Sequence, residues 1–342
     1  MFDVVTLGEA MLRLSPPHFE RLEQTQSFDC RPGGAELNVA VACARLGLKS
    51  AWVSRLPNHA LGWQIRNKAR EQGVCTDHIV WGGGEERVGV YYMEYGASPR
   101  ASKVLYDRGN AAVTALQPGD VDWAAIFAGG RHFHTTGITP ALSPSCAAVT
   151  REALAAAKAA GLTTSYDLNY RGKLWTPQRA REVQEPLMEF VDILITTEED
   201  TKVVFGIEAE GAGDTETFNT VNEDSYAVVA GKLAQRFDFD VVAVTLRANP
   251  SVWFNSWSAI AWHQGEIVRD VSREVEIVDR VGGGDSFAGG FIYGYLTGDV
   301  AYGLKFGNAF SAIKHSIPGD FNWVTKAEVE AVMRGGGLRV QR

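Results

Sequence analysis

The chain has 342 residues, 45% hydrophobic and 22% charged, with a formal net charge of −8. That length allows a large core and about two domains, and the acidic balance argues against a broad nucleic-acid or anionic-membrane surface. Four scattered cysteines (Cys30, Cys43, Cys75, Cys146) form no CxxC pair, which reads as idle thiols in a reducing compartment rather than disulfides or a metal centre.

The chain opens with an acid at Asp3 and a strand over 4–8, unlike a secretory leader. No apolar run reaches the ~18 residues a membrane helix needs, so a cytoplasmic protein with no membrane partner is expected. Leu37, Ala40, Val41 and Ala44 share one face of a helix over 36–46, stopped by Gly47. A strand over 50–54 and a helix over 62–72 follow. Residues 125–127 and 131–135 read as bracketing a strand end. An alanine-rich helix covers 144–160, and strands cover 163–167 and 191–196. A helix over 227–236, a strand over 241–246 and helices over 287–296 and 301–315 close the chain. Such alternation implies a mostly parallel sheet covered on both faces, with ligands at the carboxyl ends of its strands.

Two stretches break the alternation. Residues 12–35 lack helical periodicity, and 86–108 alternate as strands around a Gly96-Ala97-Ser98-Pro99 turn. They read as a small β flap on a body formed by 1–11, 36–85 and 109–342. Residues 206–224, rich in acids, glycines and threonines, read as a surface insertion. His132 and His134 alternate on a strand and read as packed residues rather than ligands.

The chemistry concentrates at Asp279-Arg280-Val281-Gly282-Gly283-Gly284-Asp285-Ser286-Phe287. Three glycines end an apolar run and a helical pattern begins. Consecutive backbone N–H groups at a helix N-terminus seat phosphate oxygens. Asp285 stands where a base takes the proton of an adjacent hydroxyl. A plain capped turn needs one acid, not three glycines, which are costly in chain entropy. Neither GxxxxGK[ST] nor GxGxxG is present, and no HExxH or Cys/His cluster suggests zinc. A second pair, Gly33-Gly34, precedes Asn38, where small residues let a polyhydroxy substrate approach and the amide can bond its hydroxyls.

Together, the stretch Gly33-Gly34-Ala35-Glu36-Leu37-Asn38-Val39-Ala40 with Ala44-Arg45-Leu46-Gly47, and the Asp279–Phe287 stretch, resemble the two signatures of the ribokinase-like (phosphofructokinase-B) sugar kinases over nearly the full chain. The resemblance implies an α/β fold, a ribokinase-like Rossmann-type three-layer sandwich with a small β-sheet lid. It also implies ATP and Mg2+, leaves room for a monovalent cation, and gives Asp285 as base with an anion hole at Gly282, Gly283 and Gly284. Three further pieces resemble members acting on 2-keto-3-deoxygluconate: Lys103-Val104-Leu105-Tyr106-Asp107-Arg108, Tyr166-Asp167-Leu168-Asn169-Tyr170-Arg171-Gly172, and Ile317-Pro318-Gly319-Asp320-Phe321-Asn322.

An acid sugar needs cations, and Arg108 and Arg171 can fork onto a carboxylate and its keto oxygen. The alternative is that they pair with acids such as Asp107 and Asp167. Tyr106 adds a hydroxyl, Tyr91 or Tyr92 walls the sugar, and Gly33, Gly34, Asn38 and Asn169 complete the expected substrate set. Gly282, Gly284, Arg247 and Asn308 are expected on the nucleotide.

The family's Asn-x-x-Glu motif reads Thr197-Glu198-Glu199-Asp200 here, which leaves Asp200 as the expected metal residue, through water. The rival readings are a neutral ketose kinase such as a fructokinase, a carbon–nitrogen glycosidase of the same fold, and a non-catalytic sugar or nucleotide sensor. Pairing of flap edges predicts a homo-oligomer.

Overall fold

A computed structural model describes residues 1–197, 199–208, 223–248 and 251–336. Most of the acidic insertion expected over 206–224 lies outside the described residues. Six parallel strands lie side by side in the order Val241–Ala248, Ile193–Thr197, Thr163–Asp167, His132–Thr136, Val4–Leu7 and Ser50–Val53. Antiparallel strands Phe254–His263, Glu266–Arg269 and Arg273–Glu276 extend one edge.

The central strands bury both faces; Val4–Leu7, Ile193–Thr197 and Val241–Ala248 are largely apolar, whereas His132–Thr136 and Thr163–Asp167 bury mostly polar side chains. Val5, Leu7, Leu194, Val242 and Val244 pack on one layer with Val149 and Leu154 of helix Pro144–Ala159 and Val229 and Leu233 of helix Glu223–Phe237. Val4, Ile193, Ile195, Val241 and Ala243 pack on the other with Val39 of helix Ala35–Arg45, Phe287 and Phe291 of helix Gly283–Thr297, and Leu304 of helix Val300–Lys314. Helix, sheet and helix make the expected three layers.

Two local expectations fail. Residues 125–127 belong to a short helix, Trp123–Phe127, because the Asp122 side chain accepts the Ala125 N–H at 3.0 Å and Trp123, Ile126 and Phe127 share one buried face. Helix Gly283–Thr297 also starts four residues before the expected 287, since the glycines form its first turn. His132 and His134 are fully buried and share the Ser165 hydroxyl, and burial pushes both down to about 3, so they are neutral packed residues.

A second sheet orders Asp29–Gly33, Met11–Ser15, Gly89–Glu94 and Lys103–Asp107. Its outer pairings are antiparallel and its central one parallel. Among the described residues, no helix is long and apolar enough to cross a membrane.

Candidate active site

The carboxyl ends of the parallel strands and one face of the small sheet enclose a cleft of about 520 Å³. Asp285 lies in its wall, in the first turn of helix Gly283–Thr297. Gly282 caps that helix with φ 83°, a left-handed conformation, and a Cβ there would lie 2.2 Å from the Asp320 carbonyl oxygen. The Gly283 N–H donates to the Arg280 carbonyl at 3.2 Å. The amides of Gly282, Gly284 and Asp285 have no acceptor among the described residues, so the expected hole keeps two of its three glycine donors free.

Burial pushes the Asp285 carboxyl up to about 6, against the pull of the Asn38 amide, which donates to Oδ2 at 2.6 Å. Asn38 is thus engaged with the expected base. A Cβ on Gly34 would strike the Glu9 carbonyl oxygen at 2.1 Å, so only glycine lets helix Ala35–Arg45 start this close. Gly33 ends its strand against the Asp320 carboxylate and does not line the cleft.

From the small sheet come Tyr91, Tyr106 and Arg108. Tyr91 is buried and donates to Asp320 Oδ2 at 2.5 Å, while Tyr92 turns away to pack on Phe28. The Tyr91 and Tyr106 rings are 5.8 Å apart, and the Arg108 guanidinium lies 5.5 Å from the centre of the Tyr106 ring. Arg108 pairs with Glu9, whereas Asp107 pairs with Arg87. Burial raises the Glu9 carboxyl and Arg108 opposes the rise. The pair is incompletely spent: Arg108 Nε and Glu9 Oε1 are buried with no partner among the described residues. Asn169, at φ 41°, and exposed Arg171 line the floor. The Asn169 N–H donates to Asp167 Oδ1, and Arg171 donates to the Tyr170 carbonyl oxygen.

Thr245, Arg247, Asn255, Trp257, Arg280 and His315 form another part of the wall. Burial and the neighbouring Arg247 charge lower Arg280, a pair of cations that an anion between them would relieve. Asn255 Oδ1 and Trp257 Nε1 are buried without partners among the described residues. Asn308 departs from expectation. It is fully buried in helix Val300–Lys314, its amide donates to Asp270 Oδ2 at 2.7 Å and to the Val271 carbonyl oxygen at 3.0 Å, and it does not line the cleft.

Asp200 starts helix Asp200–Phe205 and is buried, with its N–H on Thr197 Oγ1 at 3.3 Å. Burial raises its carboxyl while Arg171 and Arg247 oppose. Burial also raises Asp167 well above the usual range, and Asp200 and Asp285 push it further. Three acids that repel across one cleft suit a hydrated divalent cation. Among the described residues no three metal-binding side chains form a closed cage.

The model of the pfkB family carbohydrate kinases matches residues 1–322. The chain belongs to that family. It is 40% identical over 341 residues, 99% of each chain, to a 2-dehydro-3-deoxygalactonokinase of Haloferax volcanii. It is 30% identical over 321 residues, 92% of this chain and 91% of the relative, to a 5-dehydro-2-deoxygluconokinase of Shouchella clausii. The crystal structure of a Thermotoga maritima 2-dehydro-3-deoxygluconokinase superposes with a TM-score of 0.92 at 43% identity, covering 98% of this chain and all of that one.

Sequence reasoning missed part of this kinase's site. Glu36, read only as part of a signature, is fully buried and pushed up to about 7 by burial. Its Oε1 accepts from the Thr136 and Thr139 hydroxyls at 2.8 and 2.7 Å. Behind the glycine turn, Arg13 of the small sheet reaches Asp279 at 2.8 Å and Asp320 at 2.9 Å, all three nearly inaccessible to solvent. Asp279 also accepts from the Tyr95 hydroxyl at 2.8 Å, the Gly319 N–H at 2.7 Å and the Val281 N–H at 3.1 Å. One signal was available: a charged Arg13 between Leu12 and Leu14 in a strand calls for a buried acid.

Proposed function

We propose that this kinase uses ATP and Mg2+ to phosphorylate the terminal hydroxyl of 2-keto-3-deoxygluconate, giving 2-keto-3-deoxy-6-phosphogluconate. The observation that carries the acid-sugar reading is the Arg108–Glu9 pair, whose spare buried donor and acceptor share a cleft with Arg171 and Asp285. A buried guanidinium with an unspent N–H suits a carboxylate or keto oxygen, and Glu9 suits a sugar hydroxyl. A neutral ketose offers these cations keto and hydroxyl oxygens but no carboxylate to balance their charge. The relatives' names agree in kind, since each specifies a keto-deoxy sugar acid.

The acid-keto end lies against Arg108, Arg171 and Tyr106, walled by Tyr91. The terminal hydroxyl reaches Asp285, whose carboxylate takes the proton as the hydroxyl oxygen attacks the γ-phosphorus and the bond to ADP breaks. The amides of Gly282 and Gly284 receive the charge on the transferring phosphoryl group. Arg247 and Arg280 hold the nucleotide's phosphates. Mg2+, when bound, neutralises phosphate charge, and Asp200 holds it through water. The small sheet acts as a lid that excludes water as a competing acceptor. Its edge strand Lys103–Asp107, with Leu105 exposed, pairs with a second copy, which sedimentation would detect as a dimer.

ADP release with a panel of 2-keto-3-deoxygluconate, its galactonate-derived epimer and fructose tests the reading. The gluconate-derived acid is expected to give the highest kcat/KM. The Haloferax relative favours the epimer as second reading, and a higher kcat/KM for the epimer would establish it. No ADP release with any acid sugar would sink the proposal. Arg108→Leu is expected to raise the acid-sugar KM about 10- to 100-fold, the worth of a charged hydrogen bond, with the ATP KM unchanged.

A further inference from the structure

Lys314 ends helix Val300–Lys314 and its side chain is fully buried behind the glycine turn. Its Nζ donates to the Ile317 carbonyl oxygen at 3.1 Å and to the Asp279 carbonyl oxygen at 3.3 Å. Those carbonyls belong to the two loops that shape the turn. One runs through Asp279 to Gly282. The other runs through Ile317 to Asp320, whose carbonyl oxygen fixes the space that makes Gly282 glycine. The loops are also stitched by the Val278 and Asp279 N–H groups on the His315 carbonyl, at 2.8 and 3.1 Å. The C-terminal end of a helix favours a cation. Burial pulls the ammonium below the usual lysine range, while Asp279, Asp320 and Asp285 favour its charged form.

A methionine would fill similar space without the desolvation cost of a buried charge, which is several kcal/mol. The charge therefore calls for a role. Main-chain carbonyls around one positive charge are the environment that suits a dehydrated monovalent ion. Here the carbonyls of Asp279, Ile317 and His315 are already taken by N–H donors. The monovalent cation that the sequence left room for does not fit behind this turn.

We infer that Lys314 is the built-in cation of the anion hole, a positioning residue whose tethered ammonium holds the two loops in register so that the kinase needs no monovalent ion. The inference rests on the phosphate-binding role proposed for residues 282–285. Lys314 touches no substrate. Its carbonyl bonds keep the loop oxygens turned inward, which leaves the Gly282 and Gly284 amides facing the cleft.

The test compares the purified kinase in potassium chloride and in tetramethylammonium chloride at equal ionic strength. The expected result is the same kcat within twofold and the same Tm within about a degree. A potassium-dependent rise beyond either limit would overturn the inference. In Lys314→Ala, kcat is expected to fall at least 100-fold with the sugar KM within threefold. Ammonium or methylammonium should restore at least tenfold of that kcat and part of the lost Tm. A folded Lys314→Ala variant with undiminished kcat, or one that no small cation rescues, would equally overturn it. If the variant does not fold, the salt comparison on the natural chain still decides. The Tm readings need no substrate, so failure of the kinase reading would show separately, as absent ADP release.

Discussion

Two buried polar clusters lie on opposite sides of the glycine turn, and their electrostatics are opposite. Behind it, Arg13 and Lys314 face Asp279 and Asp320, and the tyrosines Tyr91 and Tyr95 donate to the same acids. In front of it, Glu36 and Asp200 are buried and Asp167 and Asp285 half-buried, yet each carboxyl is raised and none forms a salt bridge among the described residues. The first cluster neutralises its charges and joins the small sheet to the turn. The second leaves acids under strain beside open space, where a proton or a cation can relieve them. Burial alone does not separate scaffold from chemistry; the state of charge compensation does.

The sharpest way to break the contrast is Asp285→Asn. With the proposed base gone, kcat is expected to fall at least 1,000-fold while ATP binding by calorimetry stays within threefold. The Tm should not fall, because the variant removes an uncompensated charge and its amide oxygen can still accept from Asn38. Near-normal turnover would remove Asp285 from its role.

The reverse experiment cuts the rear cluster. Arg13→Met leaves Asp279 and Asp320 short of a cation and is expected to cost about 3–5 kcal/mol of stability, read from denaturant unfolding. If stability holds, Lys314 alone compensates both acids, and the small sheet is not anchored through Arg13.

Sequence distance explains what was legible beforehand. The parallel strands, the flanking helices and the glycine turn with Asp285 are local patterns, readable from apolar runs and a few adjacent residues. The rear cluster is not local, since Arg13 meets Asp320 307 positions away, and neither is the cleft's Arg108–Glu9 pair, 99 positions apart. The strands Phe254–His263 and Glu266–Arg269 went unread, although Gln264 and Gly265, both at positive φ, make a hairpin turn whose glycine was visible. Helix Pro177–Gln184 also went unread, despite Thr176 as cap and proline at its first position. Asn308 was misplaced because an amide on a helix says nothing about which face it occupies until Asp270 is seen against it.

A pH titration sharpens the contrast further. Asp285 rises from 3.8 to about 6 and Glu36 from 4.5 to about 7 on burial. A raised acid binds more protons folded than unfolded, so these two carboxyls contribute stability that is lost as pH rises from about 4 to about 7, while the buried neutral His132 and His134 act in the opposite direction. Asp285 contributes at most about 3 kcal/mol to that loss, two pKa shifts of about 1.4 kcal/mol each. Relative to the natural chain, Asp285→Asn should therefore gain stability as pH rises through this window and be the more stable at pH 8. In the same window the activity runs the other way: kcat/KM should drop about tenfold per pH unit below about 6, as the base becomes protonated. A stability difference between Asp285→Asn and the natural chain that stays constant from pH 4 to 8 would show that Asp285 is compensated after all.

The smallest effect is expected at an ion pair with neither property. Arg151 and Glu189 lie 3.1 Å apart with side chains 61% and 55% exposed. Water screens their charges whether or not they meet, and holding two long side chains in register offsets the attraction. Glu189→Gln should change stability by less than about 0.5 kcal/mol and leave kcat alone. The rear cluster has similar separations, 2.8–2.9 Å, so geometry does not distinguish the two. What differs is the loss of water around Arg13, Asp279 and Asp320, which makes each charge depend on its neighbours. A Glu189→Gln effect as large as that of Arg13→Met would mean that ion-pair distance, not desolvation, governs stability in this fold.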